Sequence, residues 1–203
     1  MAFGTRIATD EKTITKDSEG RLIINPTLLN ALSLFPPSGT NVWFDSCPFS
    51  QTYGYVTVSA NTITAWHQII SREVKIKKFA FNVYTSTTNH ARAAIYKDNG
   101  SLYPGSLVWQ SSEIDLTNQS QVILDLNLNL KPGIYWLCLL TNGNTDFQCV
   151  QDYGICLIPP FLKPYPNYKN NCYTVSYNFG PYPATFPTGG DLTVKYVVIM
   201  LQV

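Results

Sequence analysis

Alternate residues of the segment 122–130 are apolar: Val122, Leu124, Leu126, Leu128 and Leu130 interleave with Ile123, Asp125, Asn127 and Asn129. Side chains two apart share one face of an extended strand, so this pattern commits the segment to a strand with one face in a core. Pro132 and Gly133 then make a turn, and Ile134, Tyr135, Trp136, Leu137, Cys138, Leu139 and Leu140 follow without a polar break. Apolar on both faces, this second run reads as a central strand. Val74 and Ile76 lie on one face of another strand, whereas Phe79, Phe81 and Val83 lie on the other. That flip across Lys77 and Lys78 predicts a bulge, or a strand changing sheets. Asp98, Asn99 and Gly100 close a strand with a tight-turn signal, because Asn and Gly tolerate positive φ. Leu192, Val194, Tyr196 and Val198 alternate in a long closing strand, and no long window carries a helical stripe. The expected fold is all-β: an antiparallel β-sandwich, jelly-roll-like, over residues 38–203, with an extended N-terminal arm.

The 203 residues suffice for one core without a disulfide or metal staple. Charged residues make up 13% against about 25% in an average domain. A net charge of +1 leaves no electrostatic footprint for nucleic acid or an anionic membrane. The N-terminus lacks the pattern of a secretory signal, and no apolar run approaches the ~20 residues that span a bilayer. The chain is therefore expected to fold in a cytoplasm, with its five cysteines reduced. Cys138 reads as a small core hydrophobe, and Cys149 with Cys156 is the one pair worth testing for a bridge.

Two zones depart from the alternating pattern. Residues 1–37 hold eight of the chain's 27 charges and no sustained alternation, which reads as an arm. Within it Arg21, Leu22, Ile23 and Ile24 form a short strand signal stopped by Pro26, and residues 27–32 allow a helical turn or two. Residues 159–187 contain seven of the 13 prolines, eight aromatics and no acidic residue. Repeated X-Pro steps favour extended loop, and only the run from Cys172 to Ser176 reads as a strand. Flat aromatic faces with polar tips suit sugar rings or a protein partner, and they equally suit packing on the sandwich or on a neighbouring subunit. Tyr165, Tyr168, Asn170, Asn171, Tyr173 and Tyr182 are the contact candidates.

Catalytic signatures are sparse. His67 and His90 are the two histidines, neither in a metal-binding spacing, and His67 sits in a strand-like run as an ordinary structural histidine. No GxSxG elbow, GxxxxGK[ST] loop or GxGxxG motif occurs. Glu113 and Asp115 share a face, yet solvated surface acids explain them as well as a carboxylate pair does. Asp98 and its turn need no calcium, and Asn118 matches a glycosylation acceptor by composition alone. The expectation is a non-enzyme with no cofactor and no metal.

One stretch carries a resemblance. Phe79 to Val83, then Ala91-Arg92-Ala93-Ala94-Ile95-Tyr96-Lys97-Asp98-Asn99-Gly100, Tyr103-Pro104-Gly105-Ser106-Leu107-Val108, and Pro132-Gly133-Ile134-Tyr135-Trp136-Leu137 through Gly143 resemble the β-sandwich modules of tailed-bacteriophage fibres and other virion appendages. The match covers the middle third of the chain. It implies a jelly-roll-like domain, frequent homotrimers, no cofactor, and attachment or particle decoration as the role. On that basis the chain is expected in a virion assembled in host cytoplasm, as a fibre or host-attachment subunit with other virion proteins and a host surface glycan as partners. Neither nucleic acid nor membrane insertion is expected. A charged arm suits docking on a larger particle, with Arg6, Arg21, Leu22, Ile23 and Ile24 as anchoring candidates. A capsid decoration protein and a free carbohydrate-binding module are the alternatives.

Overall fold

The structure, a computed structural model, describes residues 14–16, 22–24, 41–45, 53–85, 87–150, 172–193 and 197–203. These residues form strands β1 (Ile14–Lys16), β2 (Leu22–Ile24), β3 (Trp43–Asp45), β4 (Tyr53–Val58), β5 (Thr62–Ile70), β6 (Val74–Asn82), β7 (His90–Asp98) and β8 (Pro104–Gln110). Then come β9 (Ile114–Asp115), β10 (Gln121–Leu130), β11 (Gly133–Thr141), β12 (Thr145–Val150), β13 (Cys172–Ser176), β14 (Asp191–Thr193) and β15 (Ile199–Gln202). Among them there is no helix. The all-β expectation holds.

The larger sheet runs β14-β13-β5-β11-β7-β8, with β9 also on β7, and the smaller runs β10-β6-β15-β3. Every strand pair in both sheets is antiparallel. A third pair, β12-β4, is stitched to the smaller sheet by bridges from Val83 to Phe147 and from Val197 to Cys149. The two layers meet face to face over one core. Phe79, Phe81, Ile199 and Leu201 enter from the smaller sheet, and Trp66, Ile95, Leu137 and Leu139 from the larger. Phe79 lies 5.7 Å from Trp109 across the layers. Each fully buried side chain of this size contributes about 1.5–3 kcal/mol by leaving water.

β11 occupies the central place expected of an all-apolar strand, between β5 and β7. Leu137 and Leu139 belong to the inter-sheet core, whereas Trp136, Cys138 and Leu140 belong to a second cluster on the sheet's outer face. Burial on both sides is why the run needed no polar alternation.

The flip at Lys77 and Lys78 is a bulge. β10 pairs Asp125 with Lys78 and Leu128 with Ile76, so three steps on β10 match two on β6. This offset lets β10 keep strict alternation while β6 turns Val74 and Ile76, then Phe79 and Phe81, all inward. Both strands stay in one sheet.

Pro132 and Gly133 join β10 to β11 as expected, and because β10 pairs with β6 in one sheet and β11 with β5 and β7 in the other, the turn carries the chain across the sandwich. One expectation about connectivity needs correction: the closing segment is not one strand. β14 ends the larger sheet and β15 lies within the smaller, and Val197, Val198 and Ile199 are all buried. Crossing between layers buries consecutive residues, which breaks a period of two.

Candidate functional site

The proline- and tyrosine-rich zone is the place to look for a contact surface, and much of its described part is structural. From β13 the chain crosses the outer face of the larger sheet as a strap, residues 177–190. Tyr177 donates its N–H to the carbonyl of Asn61 (2.9 Å), and Phe179 donates its N–H to Asn61 Oδ1 (2.9 Å). At the far edge the Leu107 N–H reaches the Ala184 carbonyl (2.9 Å) and the Phe186 N–H reaches the Gly105 carbonyl (2.8 Å). The strap thus pairs with the open edge of β8.

Under it, Ala65, Cys138 and Ala94 form a row of small side chains across β5, β11 and β7, against which Tyr182 and Phe186 pack with Tyr96. The Tyr96 ring meets Tyr182 at 6.1 Å and Phe186 at 5.3 Å, both edge to face, a favoured aromatic geometry. Tyr hydroxyls fasten the cover. Tyr96 donates to the Pro183 carbonyl (2.7 Å), Tyr103 to the Pro187 carbonyl (2.6 Å) and Tyr182 to the Arg92 carbonyl (3.1 Å). Burial pushes the phenols of Tyr96 and Tyr182 well above their ordinary range, and that of Cys138 likewise.

Among the contact candidates, Tyr182 packs on the sandwich itself: only 4% of it is exposed, and its hydroxyl is used internally. Tyr173 is half-buried, 5.4 Å from Trp136 and 4.7 Å from Tyr103, at the rim of the strap. Tyr165, Tyr168, Asn170 and Asn171 lie outside the described residues. Leu22, Ile23 and Ile24 form β2, which among the described residues pairs with β1 alone, in a small ladder separate from both sheets. Arg6 and Arg21, and residues 27–32, lie outside the described residues.

Among the described residues, the most exposed aromatic surface is on the opposite side of the molecule. Tyr55 and Tyr84, 52% and 56% exposed, stack with ring centres 5.0 Å apart. Polar side chains border them. Asp146 accepts from Thr57 Oγ1 (2.6 Å) and Thr85 Oγ1 (3.3 Å), and Asn82 joins Gln148 and Gln121. A readable signal pointed here: Val56 and Val58 face inward, so alternation turns Tyr55 outward.

The titratable groups serve the surface and the turns. Glu113 lies 3.3 Å from His90 Nδ1 and 3.4 Å from Arg92, on the surface. Asp115 accepts the Thr117 N–H (2.8 Å), and that bond holds its carboxyl below the usual range. His67 stands on the outer face of β5, 6.0 Å from the Trp136 ring. Asp98 is satisfied by protein donors: Gly100 N–H (2.7 Å), Leu102 N–H (3.3 Å) and Trp136 Nε1 (2.9 Å). Gly100 and Leu102 both adopt positive φ in that turn. Cys138 and Cys149 are buried free thiols, the buried Cys172 donates its thiol to the Thr193 carbonyl (3.5 Å), and Cys156 lies outside the described residues. Among the described residues no three His, Cys, Asp or Glu side chains gather in a metal-binding arrangement. The chain matches no known protein family, and no curated protein is similar to it.

Proposed function

We propose that this chain is a non-catalytic structural subunit of a tailed-bacteriophage particle, a fibre or host-attachment appendage. In this reading residues 1–37 dock on other virion proteins and the sandwich, as a homo-oligomer, faces outward. One observation supports it most. Most of the residues that carry the resemblance frame the larger sheet, namely β7 with its Asp98 turn, the start of β8, and β11, and the rest, Phe79 to Val83, lie along the end of β6 in the smaller sheet. Framing residues are what a shared module architecture would retain, while the faces change with the role.

The test is direct. Particles from the source phage, banded on a density gradient, are probed with an antibody against the sandwich. Co-banding with label at the tail or fibres is expected. Label on the shell would favour a capsid decoration protein, and protein found only in the free lysate fraction would overturn the virion reading.

The Tyr55 and Tyr84 pair favours a second reading, a free carbohydrate-binding module. Exposed rings offer faces to the C–H side of a sugar while neighbouring amides and Asp146 bond its hydroxyls. A monomer with glycan-array signal lost in Tyr55→Ala would support this reading. A blank array with an oligomeric protein would remove it.

A further inference from the structure

We infer that β10 is a pairing surface for a second copy of this chain, joined antiparallel about a two-fold axis at Leu126. An edge strand presents a row of unpaired N–H and C=O groups, and proteins usually blunt such edges by shortness, Lys, Pro or a cover. The other edges of the two sheets follow that rule: β3 and β14 are three residues each, and β8 is covered by the strap. β10 does not. It is ten residues long, contains neither Pro nor Lys, and among the described residues has one strand neighbour, β6. Its single charge, Asp125, is already held by Lys78 at 2.7 Å.

The flank beside it is open and apolar. Leu124, Leu126 and Leu128 are only partly buried, as are Val108 and Trp109 on the larger sheet. Trp109 rests on Phe79, which pairs with Leu124, so these side chains lie along one side of the sandwich. A strand added to β10 would cover this seam and satisfy its backbone at once.

The register selects a second copy. Facing residues in an antiparallel pair point to the same side, so a two-fold axis must pass through a residue. With the axis at Leu126, the ladder uses the whole strand. Leu124 faces Leu128 of the second copy and Val122 faces Leu130, completing an apolar row. On the solvent side Asp125 faces Asn127 and Ile123 faces Asn129. An axis at Asp125 would set the two Asp125 carboxylates against each other, which destabilises a pair, and an axis at Asn127 would set Val122 against Pro132, beyond the end of the strand. The bulge between Asp125 and Leu128 falls at the axis, so the backbone bonds concentrate in the two arms while the Asp125 and Asn127 side chains meet beside the axis.

The proposal does not depend on association with a particle. Sedimentation equilibrium of the full chain should show a monomer–dimer equilibrium, with slowed hydrogen exchange along β10 as concentration rises. Asn127 is exposed, so changing it should leave thermal unfolding of the monomer unaltered. Because Asn127 faces Asp125 twice per dimer, Asn127→Lys should tighten pairing about fivefold and Asn127→Asp should loosen it about fivefold. A monomer at every concentration, a trimer, a dimer indifferent to both substitutions, or a dimer lost on removing residues 1–37 would each overturn the inference.

Discussion

Tyr182 has two attachments, a ring packed on Tyr96 and a hydroxyl bonded to the Arg92 carbonyl. Their separate removal should separate their contributions. Tyr182→Phe deletes the hydrogen bond alone and should cost about 1 kcal/mol, whereas Tyr182→Ala empties the site and should cost about 3–5 kcal/mol, both read from urea unfolding. The same burial makes an alkaline prediction. The unfolded chain ionises Tyr96 and Tyr182 near pH ~10, while the folded chain holds both protons to higher pH. Between those values the folded state binds more protons, so stability is complete below pH ~10 and falls as pH rises beyond it. Phenolate absorbance from these two rings should appear together with unfolding, not before it. Asp98→Ala should also destabilise by about 1–3 kcal/mol, since it orphans the Trp136 indole N–H and unties the turn.

At the scale of elements, the tight approach between β7 and β8 depends on Gly105. A Cβ there would sit 3.0 Å from the Lys97 carbonyl oxygen and 3.0 Å from Asn99 Cβ. Gly105→Ala should therefore force the turn apart and lower the urea midpoint, at a cost of about 1–3 kcal/mol. Elements of this kind were legible in sequence because their causes are local. Alternation located β10, the missing alternation of β11 marked it as central, and the flipped face of β6 announced a bulge. Connectivity was not legible. A turn at Pro132 looks the same whether the next strand pairs with the last one or crosses to the other layer, and only tertiary contacts decide. The candidate site divides along the same line. The aromatic zone was visible by composition, but Tyr182 is interior because Ala65, Cys138 and Ala94 happen to align beneath the strap, and their alignment depends on register between three strands. Tyr55 and Tyr84 were both within reach of the pattern, since each follows or precedes an inward-facing valine, but their stacking depends on how β4 and β12 are bridged to the end of β6.

For the molecule as a whole, Val42 is the first of the described side chains in the inter-sheet core, and among the described residues β1 and β2 pair with each other alone. A chain starting at residue 38 should keep one cooperative thermal transition within a few degrees of the full protein and should fail to incorporate into particles. Calorimetry with a particle-reconstitution assay checks both halves, and a broad, non-cooperative melt would show that the leading segment belongs to the fold.

The strap gives this sandwich a back and a front. One broad flank is upholstered by the chain's own rings, so stacking through it would first require peeling away a dozen residues. Pairing through a strand edge and presentation of the bare tyrosine side are compatible with each other, because they use different surfaces. A pair closed in this way would show the same side of both copies outward, without a separate device to orient them.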